Sequence, residues 1–194
     1  MPPPLHTRTS HSHPLQINAL SARNGLLGLT FCPGKKQALP ASGTAWDRQL
    51  DVDIAALQQW QTALLLSLVE PDELDALKVP DLGPAVQAAG IDWLLLPIVD
   101  QQVPDAAFEA AWQRESPRLH ALLDAGQRIV IHCKGGLGRT GTIAARLLID
   151  SGVETEAAIR QVRVARPGAI ENDRQEAYVR SLDAPPMPAS DGTR

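Results

Sequence analysis

Short apolar runs alternate along this chain with longer stretches in which apolar residues recur at helical spacing. Such alternation is typical of α/β layer folds. The pattern predicts strands over residues 15–20, 26–31, 63–68, 93–96 and 128–132. It predicts helices over residues 51–61, 71–77, 82–89, 105–124, 140–151, 155–165 and 173–182. Ser116 followed by Pro117 is expected to divide the helix at 105–124 into two pieces.

The two ends of the chain differ from its middle. Residues 1–14 and 184–194 are rich in proline and poor in apolar residues, so both are predicted to be disordered tails. A single domain over residues 15–183 lies between them. The first tail contains three histidines, but with no cysteine or carboxylate nearby they are not expected to bind a metal.

Length, composition and charge narrow the functional classes. The chain has 194 residues, of which 44% are hydrophobic, enough for one domain with a sizeable core. Its apolar runs are about one strand long, well short of the roughly 20 residues that a membrane span requires. The start lacks the continuous apolar stretch of a secretory signal, so a cytoplasmic location is expected. The net charge of -4 predicts no general basic surface for nucleic acid or acidic lipid.

The most informative segment, residues 128–149, reads RIVIHCKGGLGRTGTIAARLLI. It joins a β-branched strand to an alanine- and leucine-rich helix through Gly135, Gly136 and Gly138. Glycine allows tight turns that point successive amide N–H groups into one concavity, and the helix adds its positive end. Such a cradle is expected to bind phosphate. It is not the nucleotide-binding glycine loop, because Arg139 stands where that loop carries lysine.

Two residues of this loop are candidates for the chemistry. The amides, the helix dipole and Arg139 all favour negative charge at Cys133, which is therefore predicted to be a thiolate nucleophile. Arg139 follows six positions later and offers two parallel donors to phosphate oxygens. Thr140 is expected either to donate to the sulfur or to cap the helix, and His132 to orient the loop. A disulfide between Cys32 and Cys133 is not expected in a reducing compartment.

The segment HCKGGLGRTG resembles the signature of the protein tyrosine and dual-specificity phosphatase superfamily: His-Cys, five residues, Arg and then Ser or Thr. Three further segments, GLTFCPGKK, LPIVDQQVPD and RPGAIENDRQEAYV, resemble the cyclin-dependent-kinase-associated phosphatase group within it. The resemblance extends from about residue 15 to residue 182. It implies the cysteine-phosphatase fold, with a central mostly parallel sheet flanked by helices. It also implies two-step hydrolysis of phosphate monoesters through a thiophosphoryl cysteine, without a metal or other cofactor.

The resemblance implies roles for residues outside the loop as well. Asp100 matches the acid that protonates the leaving oxygen, and Asp105, which is also suited to cap the next helix, is the competing candidate. Gln175 resembles the glutamine that positions the attacking water. The side chain of Lys134 is expected to contact either a second charge of the substrate or solvent. The residues expected to contact the substrate phosphate are Lys134, Gly135, Gly136, Leu137, Gly138 and Arg139.

The expected substrate is a phosphorylated protein. Leu137 occupies a loop position at which phosphoinositide enzymes resembling this family often carry a second lysine. A small phosphate ester is the alternative substrate, and the choice between phosphotyrosine and phosphoserine or phosphothreonine stays open. Two other functions fit part of the pattern, namely a catalytically weak module that binds phosphoproteins and a sulfurtransferase. The presence of Cys133, Arg139 and Thr140 together favours phosphoryl turnover over both.

Overall fold

The computed structural model describes residues 7–38 and 44–182. Its strands are β1 (Thr7–Arg8), β2 (Asn18–Ala22), β3 (Gly25–Phe31), β4 (Lys36–Gln37), β5 (Ala45–Asp47), β6 (Thr62–Ser67), β7 (Asp92–Leu95) and β8 (Arg128–Cys133). Its helices are α1 (Leu50–Gln59), α2 (Pro71–Ala76), α3 (Leu82–Ala88), α4 (Ala106–Asp124), α5 (Gly138–Asp150), α6 (Thr155–Ala165) and α7 (Asp173–Ser181). Five strands form a central sheet, and β1, β5 and β4 form a small separate one.

The central sheet has the strand order β2-β3-β8-β6-β7, with β2 antiparallel to β3 and all other pairs parallel. This confirms the predicted α/β fold with a mostly parallel sheet. The middle strand, β8, places Cys133 opposite Phe31 of β3 and His132 opposite Ser67 of β6. The carboxyl ends of three parallel strands therefore meet at Cys133, the edge at which open α/β sheets bind ligands.

Strand β8 divides its side chains between two cores. Ile129 and Ile131 pack on the face covered by α4, α5, α6 and α7, whereas Val130 packs on the opposite face with α1, α2 and α3. Burial on both faces explains why the strand is a continuous apolar run in the sequence. The backbone from which the glycine-rich loop departs is consequently held from both sides.

Helix α4 is continuous, so the predicted division at Pro117 is wrong. A proline in a helix leaves the carbonyl four residues earlier without its usual donor. That residue is Gln113, and both it and Pro117 lie on the exposed side of the helix, where water can donate instead. Buried Trp112 before the proline and buried Leu119 after it hold both halves against the core.

The other elements differ from the predicted ones mainly at their ends. Strand β2 begins at Asn18 rather than at residue 15, because Leu15 is buried but the carbonyl of Gln16 accepts the Thr30 hydroxyl at 2.8 Å instead of joining a strand ladder. Strands β4 and β5 are not predicted from the sequence.

Within the described residues, no helix is both long and apolar enough to cross a membrane. A cytoplasmic location stays a prediction.

Residues 7–14 form an N-terminal arm that lies against the domain, where the sequence predicts part of a disordered tail. Strand β1 in this arm pairs in parallel with β5, and the Arg8 guanidinium lies 5.3 Å from the centre of the Trp46 ring. The paired positions are far apart in the chain, so no local pattern indicates them. Residues 1–6 and the predicted tail 184–194 lie outside the described residues.

Candidate active site

The loop between β8 and α5 forms a cradle around the thiol of Cys133. The residue is 4% exposed, and the amide N–H of Gly136 donates to its Sγ at 3.2 Å. Gly136 has a φ of +70°, and a Cβ there would lie 2.3 Å from the carbonyl oxygen of Thr30. Both facts require glycine at this position. Helix α5 begins at Gly138, so its N-terminal dipole also acts on the cradle.

The guanidinium of Arg139 is buried and held by several acceptors. Its Nη1 and Nη2 donate to the two carboxylate oxygens of Glu73 at 2.6 and 2.9 Å. Nη1 also donates to the carbonyl of Ile98 at 2.9 Å, and Nη2 donates to Oδ1 of Asp100 at 2.9 Å. Of the five N–H donors of a guanidinium, the one on Nε has no acceptor among the described residues. A phosphate can therefore approach Arg139 along the edge formed by Nε, which is free, and Nη2, whose contact with Asp100 it would replace.

Glu73 is a site residue that the sequence analysis did not identify. It lies in α2, where it also closes a capping box with Glu70, and its bidentate contact fixes the orientation of Arg139. Burial alone would raise the pKa of Glu73, but hydrogen bonds from Arg139 and the Glu70 amide hold that pKa below its ordinary value. The available signal was its place just after β6, at the same sheet edge as Cys133.

The two candidates for the general acid have different surroundings. Asp100 follows β7, and its half-exposed carboxylate contacts Arg139. Asp105 accepts the backbone N–H of Phe108 at 2.8 Å and caps α4. Of the two, Asp100 lines the cavity that contains Cys133. These contacts favour Asp100 as the acid and give Asp105 a structural role.

Gln175 and Thr140 each have a buried polar atom without a partner among the described residues. In Gln175 this atom is Nε2, since Oε1 accepts the amide N–H of Glu171 at 2.9 Å. A Cβ at Gly138 would lie 2.7 Å from that Nε2, so the glutamine packs directly against the loop. In Thr140 the atom is Oγ1, which makes no hydrogen bond to the sulfur of Cys133. Unpaired buried polar atoms are rare, and each is a candidate for a functional role.

His132 supports the loop from behind through a chain of hydrogen bonds. The indole N–H of Trp93 donates to Oγ of Ser67 at 2.8 Å, and that hydroxyl lies 2.6 Å from Nε2 of His132. Nδ1 of the same ring lies 3.4 Å from the carbonyl oxygen of Cys133. Burial lowers the pKa of His132 to about 4, so the ring is neutral at pH 7. A neutral ring donates from Nδ1 only if Nε2 accepts, so the Ser67 hydroxyl must be the donor to His132.

Two cations that the sequence analysis left without a role also hold the loop. Arg166 donates through Nε to the carbonyl of Gly136 at 2.5 Å and through Nη2 to that of Gly135 at 3.3 Å. Lys35 donates through Nζ to the carbonyl of Lys134 at 3.0 Å. Burial lowers the pKa of Lys35 to about 8. Both cations lie in segments that carry the phosphatase resemblance, which was the signal available for them.

Most of the predicted site residues face one open cavity of about 480 Å³. Gly136 and Thr140 are buried and do not line it. The expectation that the reaction needs no metal or other cofactor stays a prediction. The residues that line the cavity are Lys35, Gln37, Asp100, Gln101, Cys133, Lys134, Gly135, Leu137, Gly138, Arg139, Glu171 and Gln175.

Comparison with known proteins gives matches at three levels. The family described as Swiss Army Knife protein, DSP-PTPase phosphatase domain, matches residues 44–179. Cyclin-dependent kinase inhibitor 3 of Homo sapiens is 36% identical over 110 residues, which are 55% of this chain and 50% of that protein. Protein tyrosine phosphatase type IVA 3 of Bos taurus is 43% identical over 56 residues, which are 29% of this chain and 32% of that protein. The matched part of the chain thus spans from 32% to 50% of the length of these relatives.

A solved structure matches over a larger part of the chain. It is a crystal structure of kinase associated phosphatase in which the catalytic site cysteine is substituted by serine. The two chains are 29% identical and superpose with a TM-score of 0.76, covering 87% of this chain and 94% of the other. The match supports the layered α/β fold described above.

Proposed function

Because this chain belongs to the family of DSP-PTPase phosphatase domains, we propose that it hydrolyses phosphate monoesters in proteins with Cys133 as the nucleophile. Family membership also confirms the resemblance found in the sequence. The observation that carries the proposal is that Cys133 and Arg139 line one cavity while the Gly136 amide donates to the sulfur at 3.2 Å. A dianionic phosphoryl group in that cavity meets a nucleophile, a cradle of donors and a guanidinium.

In the first step, the Cys133 sulfur attacks phosphorus in line with the leaving oxygen. The S–P bond forms as the P–O bond breaks, and the leaving oxygen takes a proton from the carboxyl of Asp100. In the second step, water attacks phosphorus, Asp100 takes a proton from that water, and Cys133 departs as a thiolate. The products are the free hydroxyl of the substrate and inorganic phosphate.

The contact between Asp100 and Arg139 connects phosphate binding to acid catalysis. A phosphate that takes both N–H donors of the Nε–Nη2 edge must replace the Asp100 carboxylate on Nη2. Glu73 remains on the opposite side of the guanidinium and keeps its orientation fixed. Release from Arg139 frees the half-exposed Asp100 carboxyl to turn towards the leaving oxygen, where it can act as the proton donor.

Two buried polar groups suit the second step. The free Nε2 of Gln175 lies against Gly138 and can hold the attacking water over the loop. The unpaired hydroxyl of Thr140, one position after Arg139, can donate to the departing sulfur once the loop adjusts around the intermediate. Neither group has another hydrogen-bonding task among the described residues.

A phosphorylated protein is the substrate that we propose. The relatives are named as a protein tyrosine phosphatase and a kinase associated phosphatase, which supports this choice for a chain of the same family. Leu137 also favours a protein over a phosphoinositide, because phosphoinositide enzymes resembling this family often carry a second lysine at this position of the loop. A small phosphate ester remains the alternative, and a purified enzyme that hydrolyses such esters but no phosphopeptide would favour it.

Substitution of either cysteine by serine tests the nucleophile. We expect Cys133→Ser to reduce turnover of p-nitrophenyl phosphate below ~1% of the wild-type rate, because a neutral hydroxyl keeps the shape but lacks the reactivity of a thiolate. Cys32→Ser is the matched control, since Cys32 is also buried but burial raises the pKa of its thiol. We expect that variant to retain most of its activity. Equal losses of turnover in the two variants would contradict the assignment of Cys133 as the nucleophile.

A further inference from the structure

A second cavity of about 480 Å³ lies next to the catalytic one. The two cavities share Lys35 and Gly135, and Gly135 belongs to the phosphate-binding loop itself. The space therefore begins beside the loop that is proposed to bind the phosphoryl group. Its remaining walls come from the N-terminal arm and Gln16, from β3 and β5, and from Arg166 after α6. A substrate larger than a phenyl phosphate can extend from the first cavity into the second.

The second cavity is cationic, although the whole chain has a net charge of -4. Arg8, Lys35 and Arg166 line it together with His13, and none of its ten described lining residues is a carboxylate. Charges of one sign gathered around a low-dielectric space concentrate the field within it. The cavity is therefore suited to an anion.

The three cations differ in how far their donors are already used. Arg166 donates to the loop carbonyls and, through Nη1, to Oδ1 of Asn18 at 2.7 Å. Lys35 uses one donor, on the carbonyl of Lys134. The Arg8 guanidinium donates to no other described residue and lies over the face of Trp46. Arg8 and Lys35 thus retain donors for a ligand.

The surrounding structure positions these groups firmly. Arg48 is fully buried and pairs with Asp53 through two hydrogen bonds of 2.7 Å, while its Nη1 donates to the carbonyl of His13 at 2.8 Å. This buried ion pair holds the arm that carries Arg8. Nζ of Lys35 lies 4.3 Å from the centre of the Trp46 ring, which fixes the lysine between the arm and the loop.

We propose that the second cavity binds an acidic side chain, a carboxylate or a second phosphate, that lies one to three residues from the phosphoresidue in the substrate protein. This inference rests on the proposed phosphatase function and narrows its substrate class. An extended peptide rises ~3.3 Å per residue, so near neighbours of the phosphoresidue reach an adjoining cavity. Trp46 and Phe31 supply apolar surface for the carbon atoms of that side chain.

Synthetic phosphotyrosine peptides test the proposal. In one series, glutamate replaces glutamine at each position from three before to three after the phosphotyrosine, and kcat/KM is measured for every peptide. We expect glutamate to raise kcat/KM about tenfold over glutamine at one or two positions, because a charge-assisted contact is gained there. The ratio of kcat/KM for the glutamate peptide to that for the glutamine peptide should fall to about one in Arg8→Gln. It should persist in Arg114→Gln, a matched loss of charge at an exposed position on α4.

Charge reversal separates recognition from a structural role of the arm. In Arg8→Glu, kcat/KM for the lysine peptide relative to the glutamate peptide should rise above its value in Arg8→Gln, because a negative charge then stands in the cavity; damage to the fold would not produce this change. Hydrolysis of p-nitrophenyl phosphate without any glutamate preference in the wild type would overturn this inference and leave the proposed function intact. A soluble, multiply phosphorylated cyclitol that is hydrolysed faster than every peptide would also overturn it. Failure to hydrolyse any phosphate ester would instead contradict the proposed function.

Discussion

Asp100 is the residue whose role depends most on its neighbours. Its carboxylate is 48% exposed and contacts Arg139, so the group that the phosphate needs also holds the proposed acid at the edge of the cavity before a phosphate binds. Asp105, five positions later, is engaged by the backbone of α4. The structure therefore offers two nearby carboxylates with separable contacts, and kinetics can tell them apart.

We expect Asp100→Asn to slow hydrolysis of phenyl phosphate far more than that of p-nitrophenyl phosphate. A phenolate leaves poorly without a proton, whereas p-nitrophenolate needs less assistance, and general acid catalysis contributes about 10²- to 10⁴-fold. The measurement is the ratio of kcat for the two esters in wild type and variant. The basic limb of the pH–rate profile should also flatten.

Asp105→Asn is the control for this prediction. Asparagine can also cap a helix, so the variant should keep its stability within about 1 kcal/mol and show no dependence on the leaving group. The contrary result, with leaving-group dependence in Asp105→Asn and equal slowing of both esters in Asp100→Asn, would identify Asp105 as the acid.

At the scale of elements, the turn from β8 into α5 depends on two adjacent glycines that are not equivalent. Gly136 has a positive φ and no space for a Cβ, whereas a Cβ at Gly135 would meet no atom within 4 Å. We expect Gly136→Ala to lower kcat/KM by about 100-fold or more, because the loop must shift and its amide leaves the sulfur. Gly135→Ala should lower kcat/KM much less than Gly136→Ala does. Circular dichroism should show both variants folded, and equal kinetic losses would contradict the distinction.

The sequence predicts this turn well because its signals are local. A β-branched run, three glycines and an alanine-rich helix stand in order within 22 residues, and each acts on its own neighbours. β4, β5 and the ordered arm have no such signal. Arg8 pairs with Trp46, 38 positions away, and the two-residue strands β1 and β4 exist only through their pairing with β5.

Glu73 was missed for a related reason. The sequence predicts a helix over residues 71–77, and the structure shows that Glu73 closes a capping box with Glu70 at the start of that helix. Its second role, as the partner of Arg139, depends on two βα connections reaching the same edge of the sheet. Periodicity predicts that the helix exists but not which loop residue it will face.

At the scale of the whole molecule, the neutral histidine inside the sheet makes stability depend on pH. His132 has a pKa of about 4 in the folded protein because it is fully buried, against an ordinary value of 6.5. Between these values the unfolded chain binds a proton that the folded protein does not, so stability rises with pH. We expect the free energy of unfolding to fall by about 1.5 kcal/mol from this group as the pH drops from 6.5 to 5.

Denaturation by urea at several pH values measures this effect. The lowered pKa values of Glu73 and Glu109 act mainly below this window, since their unfolded carboxyls protonate near 4.5. His132→Asn should remove most of the change in unfolding free energy between pH 6.5 and 5, even if the variant is less stable than the wild type at every pH. His120→Gln is the control, because burial also lowers the pKa of His120 but the residue is less deeply enclosed. An unchanged slope in His132→Asn would refute the assignment.

The position of Trp46 gives the protein an optical signal of its own. Its indole forms part of the wall of the second cavity, with cationic groups of Arg8 and Lys35 at 5.3 and 4.3 Å from the ring centre. Indole emission responds to charge and water near the ring. Whatever enters the cavity must displace water there and draw the cations toward itself, so it changes both the wavelength and the intensity of the fluorescence. Occupancy can therefore be titrated in the Cys133→Ser variant, with unlabelled peptides and without turnover.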